Sequence, residues 1–246
     1  MKNFFGNRKN ITAVSTICVV LLTMIAVTHY YLQYETGAIR WTLTFGYLFL
    51  LVQSVFVLGY GCANKKCGVK TVGIEFALLA VIMLVYCIID LIPLRIALYI
   101  KPAGLILPLV LIPAYADSAL TEKPLVKNVL YMVIASVVAI AAVVLSDLAI
   151  DVLDAGSEAG YVIGALFCIF GVVLAIVNLA KKKDELFAWS LIAYSFLGGL
   201  MFVLNLFDKT TLADKFLSLQ NLGASVMLIA VVMAQQVPVA VKRKRR

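Results

Sequence analysis

Apolar residues recur along this chain in runs too long for one face of a soluble helix or strand. A helix rises about 1.5 Å per residue, so crossing roughly 30 Å of hydrocarbon takes about 20 consecutive apolar positions. Runs of that length predict helices near 11–32, 41–60, 74–93, 102–120, 129–148, 161–180, 186–207 and 217–237. The connections are too short to hold a soluble domain. The pattern therefore predicts an all-α fold: a single membrane domain over 1–246, built as a polytopic transmembrane helical bundle of about eight spans.

Two runs need a closer reading. The first has a basic start, yet it is longer than a signal-peptide core and no small-x-small cleavage site follows, so it is expected to remain as a span. The fourth is interrupted by Pro102, Pro108 and Pro113. Proline removes a backbone donor and bends a helix, but neighbouring helices can satisfy the freed carbonyls, so this span is expected to be bent.

Composition agrees with lipid as the main solvent. Hydrophobic residues make up 63% of the chain and charged residues 14%, where soluble domains run at about half and about a quarter. The net charge of +8 would suit nucleic acid only if the basic residues formed a continuous stripe on a soluble fold. They lie instead in short clusters between apolar runs, and no nucleic-acid partner is expected.

Those clusters set the orientation, because Lys and Arg near the ends of spans are retained in the cytoplasm. One set of alternate connections holds Lys2, Arg8, Lys9, Lys65, Lys66, Lys70, Lys123, Lys127, Lys181, Lys182, Lys183 and the tail Lys242, Arg243, Lys244, Arg245 and Arg246, which is 16 of the 21 basic residues. The other set holds Arg40, Arg95, Lys101, Lys209 and Lys215. Such a split needs an even number of crossings and puts both termini in the cytoplasm. The tail 238–246 is then a basic cytoplasmic anchor beside anionic lipid, and the plasma (cell) membrane is the expected location. The basic clusters recur once per helical hairpin, a spacing that evenly sized spans produce with or without duplication.

Ionisable groups inside a bilayer are costly, about +2.5 to 3.5 kcal/mol at a helix centre on insertion scales, so they are the first candidates for function. The odd-numbered spans carry them toward their outer ends: His29, then Asp90, then Asp147 and Asp151, then Asn205 and Asp208. Asp90 stands in YCIIDLIPL with apolar neighbours on both sides; it is either a working acid facing the bundle or an interfacial acid neutralised by Arg95. Asp147, Asp151 and Asp154 fall on one helical face. That row could receive a cation or pass a proton, or it could be solvated where the helix leaves the hydrocarbon. His29 precedes Tyr30, Tyr31 and Tyr34, which reads as an interfacial aromatic belt, with a sensing or proton-relay histidine as the alternative. The amides Gln53, Asn178, Gln220, Asn221, Gln235 and Gln236 read as helix-packing elements, and Gly171, Gly198 and Gly199 as points of close helix approach.

The cysteines Cys18, Cys87 and Cys168 lie in apolar runs and behave as small hydrophobes. Cys62 and Cys67 in CANKKC fall in a cytoplasmic loop with no further ligands nearby, so neither a disulfide nor a metal site is expected. No GxxxxGK[ST], GxGxxG, HExxH or GxSxG occurs, and no cofactor is implied. Lys101 and Pro102 before one run, with Ser146 and Asp147 ending the next, form a partial pattern. It resembles the Lys-Pro and Gly-Asp of the lysoplasmalogenase-like membrane enzymes, with Ser in place of Gly and without a histidine in the following helix. That resemblance implies an enzyme acting on lipid.

Three classes of function follow. The first is a carrier, or the membrane subunit of one, handling a cation or small polar solute through acids in the outer half of the bundle. The second is a sensory or scaffolding membrane domain working with a membrane-protein partner or a second copy of the chain. The third is an intramembrane lipid-modifying enzyme. The lipid bilayer is a partner in all three.

Overall fold

A computed structural model describes residues 2–31, 36–89, 158–180, 185–207 and 210–233. Every element among these residues is an α-helix: α1 (Lys2–Gly6), α2 (Arg8–Tyr31), α3 (Thr36–Ala63), α4 (Cys67–Ile89), α5 (Glu158–Ala180), α6 (Glu185–Leu206) and α7 (Thr210–Met233). Five of them contain stretches long and apolar enough to cross a membrane: Arg8–Tyr31, Trp41–Ala63, Gly68–Val85, Glu185–Leu206 and Lys215–Met233. α5 carries a shorter apolar stretch, Gly164–Val177. The expected spans near 102–120 and 129–148 lie outside the described residues, as do the tail 238–246 and the proline-bent helix.

Helices are what a chain in hydrocarbon must form, because each backbone N–H and C=O then finds its partner within one segment. Side-chain hydroxyls obey the same rule. Thr16, Thr23 and Thr28, all exposed on α2, donate to the carbonyls of Thr12, Val19 and Met24 at 2.8–2.9 Å. Asn7 caps α2 by accepting from the Lys9 amide at 3.0 Å. At the other end of the first hairpin, Lys65 adopts φ 54° while the Lys66 amide donates back to the Gly61 carbonyl at 2.9 Å. This is a left-handed helix stop of the kind glycine usually makes.

The helices pack as alternating antiparallel neighbours. Arg8 donates to the Met233 carbonyl at 2.8 Å, and Lys215 donates to the Tyr30 carbonyl at 3.0 Å, so α2 and α7 run antiparallel over their whole length. α3 and α4 meet closely at two glycines. A Cβ on Gly73 would stand 2.9 Å from the Leu58 amide nitrogen, and one on Gly61 would stand 2.7 Å from that of Lys70. Gly164 against Phe202 joins α5 to α6, and Gly223 against Tyr194 joins α6 to α7. As a result Ile89 and Glu158 lie at the same end of the bundle.

α7 is the central helix, packed on α2, α3, α4 and α6. Of its apolar stretch 67% is buried, against 28% for that of α2. The outward faces are hydrocarbon: Ile17, Val20 and Met24 on α2, and Leu166, Ile169 and Phe170 on α5. Among the described residues the exposed tyrosines and tryptophans lie toward the two ends, Tyr30, Tyr31 and Trp41 at one and Trp189 at the other, while exposed Phe170 and Phe196 lie mid-helix. That distribution is the amphipathic girdle expected at membrane interfaces.

Candidate intramembrane carboxylate site

α4 begins at Cys67, well before the start near 74 that its apolar run predicts. Lys70 and Thr71 interrupt the run without ending the helix. Glu75 therefore sits two turns inside α4, about 12 Å along it from Cys67 at 1.5 Å per residue. Val72, Phe76 and Leu79, its neighbours on the helix surface, are fully buried. Glu75 itself has no exposed surface. Neither carboxyl oxygen has a hydrogen-bond partner among the described residues.

Polar groups of α5, α6 and α7 meet around Gly198, one turn along α6 from Tyr194. The Phe76 ring meets Tyr194 edge-on, with centroids 5.9 Å apart and planes at 86°. Tyr194 also interacts electrostatically with Glu75 and with Cys168 of α5. One turn along α6, Gly198 leaves room for two further side chains. A Cβ there would stand 2.6 Å from the Gln220 amide nitrogen and 3.2 Å from the Cys168 sulfur. The Tyr194 and Ser195 hydroxyls and both amide atoms of Gln220 are buried without a hydrogen-bond partner among the described residues. Ser195 and Cys168 reach a groove of about 290 Å³ between α5 and α6, otherwise lined by apolar residues such as Ile169, Val172 and Phe196.

On the α3 side of α7 the polar groups are paired. Gln53 donates to the Ser225 carbonyl at 2.9 Å and accepts from the Ser225 hydroxyl. Ser54 donates to the carbonyl of Leu50 at 2.7 Å.

The expected site residues fall into two groups. Asp90, Asp147, Asp151 and Asp208 lie outside the described residues, together with Asp154 and Arg95. His29 and Asn205 are described and buried. His29 is not part of the aromatic belt: its Nδ1 hydrogen-bonds the Ser218 hydroxyl of α7, while Tyr30 and Tyr31 turn outward and Tyr34 lies outside the described residues. The physical reason is register, because His29 continues the inward stripe of Ile11, Ser15, Cys18, Leu22 and Ala26. Asn205 donates to the Met201 carbonyl of its own helix at 2.9 Å. Gln53 acts as the packing amide that its type suggested, whereas Gln220 does not pair among the described residues. Cys62 is a free thiol on the surface of the first hairpin.

Glu75 lies one residue past the start that its apolar run predicts, where an acid reads as a span boundary. The signal was the apolar Val69 and Val72 ahead of it, which continue the helical stripe past Lys70.

His, Cys, Asp and Glu side chains form no group of three suited to a metal ion among the described residues. No protein-family model, curated protein or solved structure matches this chain.

Proposed function

We propose that this protein is an integral membrane carrier, or the membrane subunit of one, in which Glu75 takes up and releases a cation within the bundle. One observation carries this reading: a carboxyl group with no exposed surface and no hydrogen-bond partner among the described residues. An uncompensated anion in such surroundings is strongly disfavoured. A carboxylate there is tolerable only while a proton or another cation accompanies it. A residue serving packing alone would be cheaper as leucine, so the acid points to a cycle of loading and unloading.

The direction of the described helices supports the accompanying topology. Ile89 and Glu158 share one end of the bundle, which fits two further passes through 90–157 and hence eight spans. With the basic turn between α3 and α4 in the cytoplasm, both termini are cytoplasmic and Glu75 lies in the inner half of the membrane. This moves the centre of the carrier reading inward from the outer acids, which would then serve the opposite opening. The host membrane in this reading is the cell membrane.

Reconstitution tests the proposal. Wild-type protein in sealed vesicles should move cations down an imposed gradient, and Glu75→Gln, equal in shape, should reduce that movement to the level of protein-free vesicles while remaining monodisperse in detergent. Undiminished flux in Glu75→Gln would remove the carrier reading.

A further inference from the structure

Resting on the reading of Glu75 as the ion-carrying group, we infer that the ion is a proton and not a metal cation. The two differ in what they need from the protein. A metal cation entering hydrocarbon must exchange its hydration shell for several oxygens at short, regular distances. A proton needs one lone pair.

The surroundings of Glu75 offer the second and not the first. On its own helix its same-face neighbours are the buried hydrocarbon of Val72 and Leu79 and the buried Thr71, whose hydroxyl is not a hydrogen-bond partner of Glu75. The helix carbonyls nearby are committed to the backbone ladder. Neither carboxyl oxygen has a hydroxyl or amide partner among the described residues, so among those residues the oxygens that would share a metal ion with it are not in place.

The titratable groups on the elements around it are few. α3 presents the buried tyrosines Tyr47 and Tyr60, α6 presents Tyr194, and α5 presents Cys168. α4 itself carries Lys70, part-exposed and more than a turn below. Between Lys215 and Met233, α7 has no titratable residue. The other carboxylates on these elements, Glu158, Glu185 and Asp214, stand near the starts of α5, α6 and α7, and no described group among them is a hydrogen-bond partner of Glu75.

The step is simple and balanced. A carboxylate oxygen forms an O–H bond with a proton arriving from one face of the membrane. The neutral acid then breaks that bond toward the other face, which regenerates the carboxylate.

Two gradients imposed on the same vesicles separate the outcomes. With a pH-sensitive dye trapped inside, wild-type protein should acidify or alkalinise the lumen under an imposed proton gradient, identically in sodium and in choline medium, and Glu75→Gln should not. Radioactive sodium uptake at equal pH should match protein-free vesicles. Sodium or potassium flux that is lost in Glu75→Gln, with no proton flux, would overturn the proton while leaving the carrier reading intact. If no flux of any of these ions depends on Glu75, both fall.

Infrared difference spectra of purified protein give a second readout that needs no flux. The carbonyl band of a protonated carboxylic acid, absent in Glu75→Gln, should respond to pH and be indifferent to sodium. A band that responds to sodium at constant pH would contradict the inference.

Discussion

Two sets of polar side chains sit on different flanks of α7 and meet opposite fates. On the α3 flank, Gln53 and Ser225 satisfy each other through two hydrogen bonds. On the α4 and α6 flank, Glu75, Tyr194, Ser195 and Gln220 are equally buried, and the atoms they bring together have no partners among the described residues. The first arrangement is what helix association in lipid requires, since interhelical hydrogen bonds and small residues stand in for the missing hydrophobic drive. The second has no such use. Each unsatisfied buried group costs about 1–3 kcal/mol, and that cost is retained only where something other than packing depends on the group.

The contrast can be broken at its mechanical support first. Gly73→Leu forces a side chain into the Leu58 backbone and should cost about 3 kcal/mol, at the upper end for overpacking. Loss of the monodisperse species in detergent would register it, and an unchanged elution profile would mean that α3 and α4 do not approach as closely as described. Next, Gln53→Leu strands the Ser225 hydroxyl and should lower stability by about 1 kcal/mol without altering ion flux. A double cycle with Ser225→Ala should give a smaller coupling of about 0.6 kcal/mol, and zero coupling would show that the pair is not formed. Smallest of all, Lys65→Gly relieves a left-handed backbone outside both flanks and should add up to about 1 kcal/mol. A loss in that variant would place the hairpin stop elsewhere.

The bundle was more legible than the site. Six apolar runs overlap α2 to α7, because length in hydrocarbon is a nearly sufficient signal for a helix, while α4 and α7 each begin seven residues ahead of their runs. The case of α4 is informative. Counting apolar residues stops at Lys70, but a lysine with a long aliphatic stem sits comfortably in the first turns of a span. Starting α4 at 74 turned Glu75 from an intramembrane acid into a boundary residue.

His29 was misread for a related reason. Its aromatic neighbours pointed to the interface, while the stripe of Ser15, Cys18, Leu22 and Ala26 pointed inward, and packing on α7 follows the stripe. The pairing of Gln53 with Ser225 joins residues 172 apart in sequence, and no local pattern encodes it. Asp90, Asp147, Asp151 and Asp208 remain the sequence's own candidates for the outer opening.

Thermal unfolding of Glu75→Leu and Gln53→Leu in the same detergent measures the difference between the two flanks most directly. With Glu75 retained for its charge cycle at the expense of packing, Glu75→Leu should unfold at a higher temperature than wild type and Gln53→Leu at a lower one. If both variants unfold earlier than wild type, Glu75 is a bonded structural residue and the account of it as an ion carrier is contradicted.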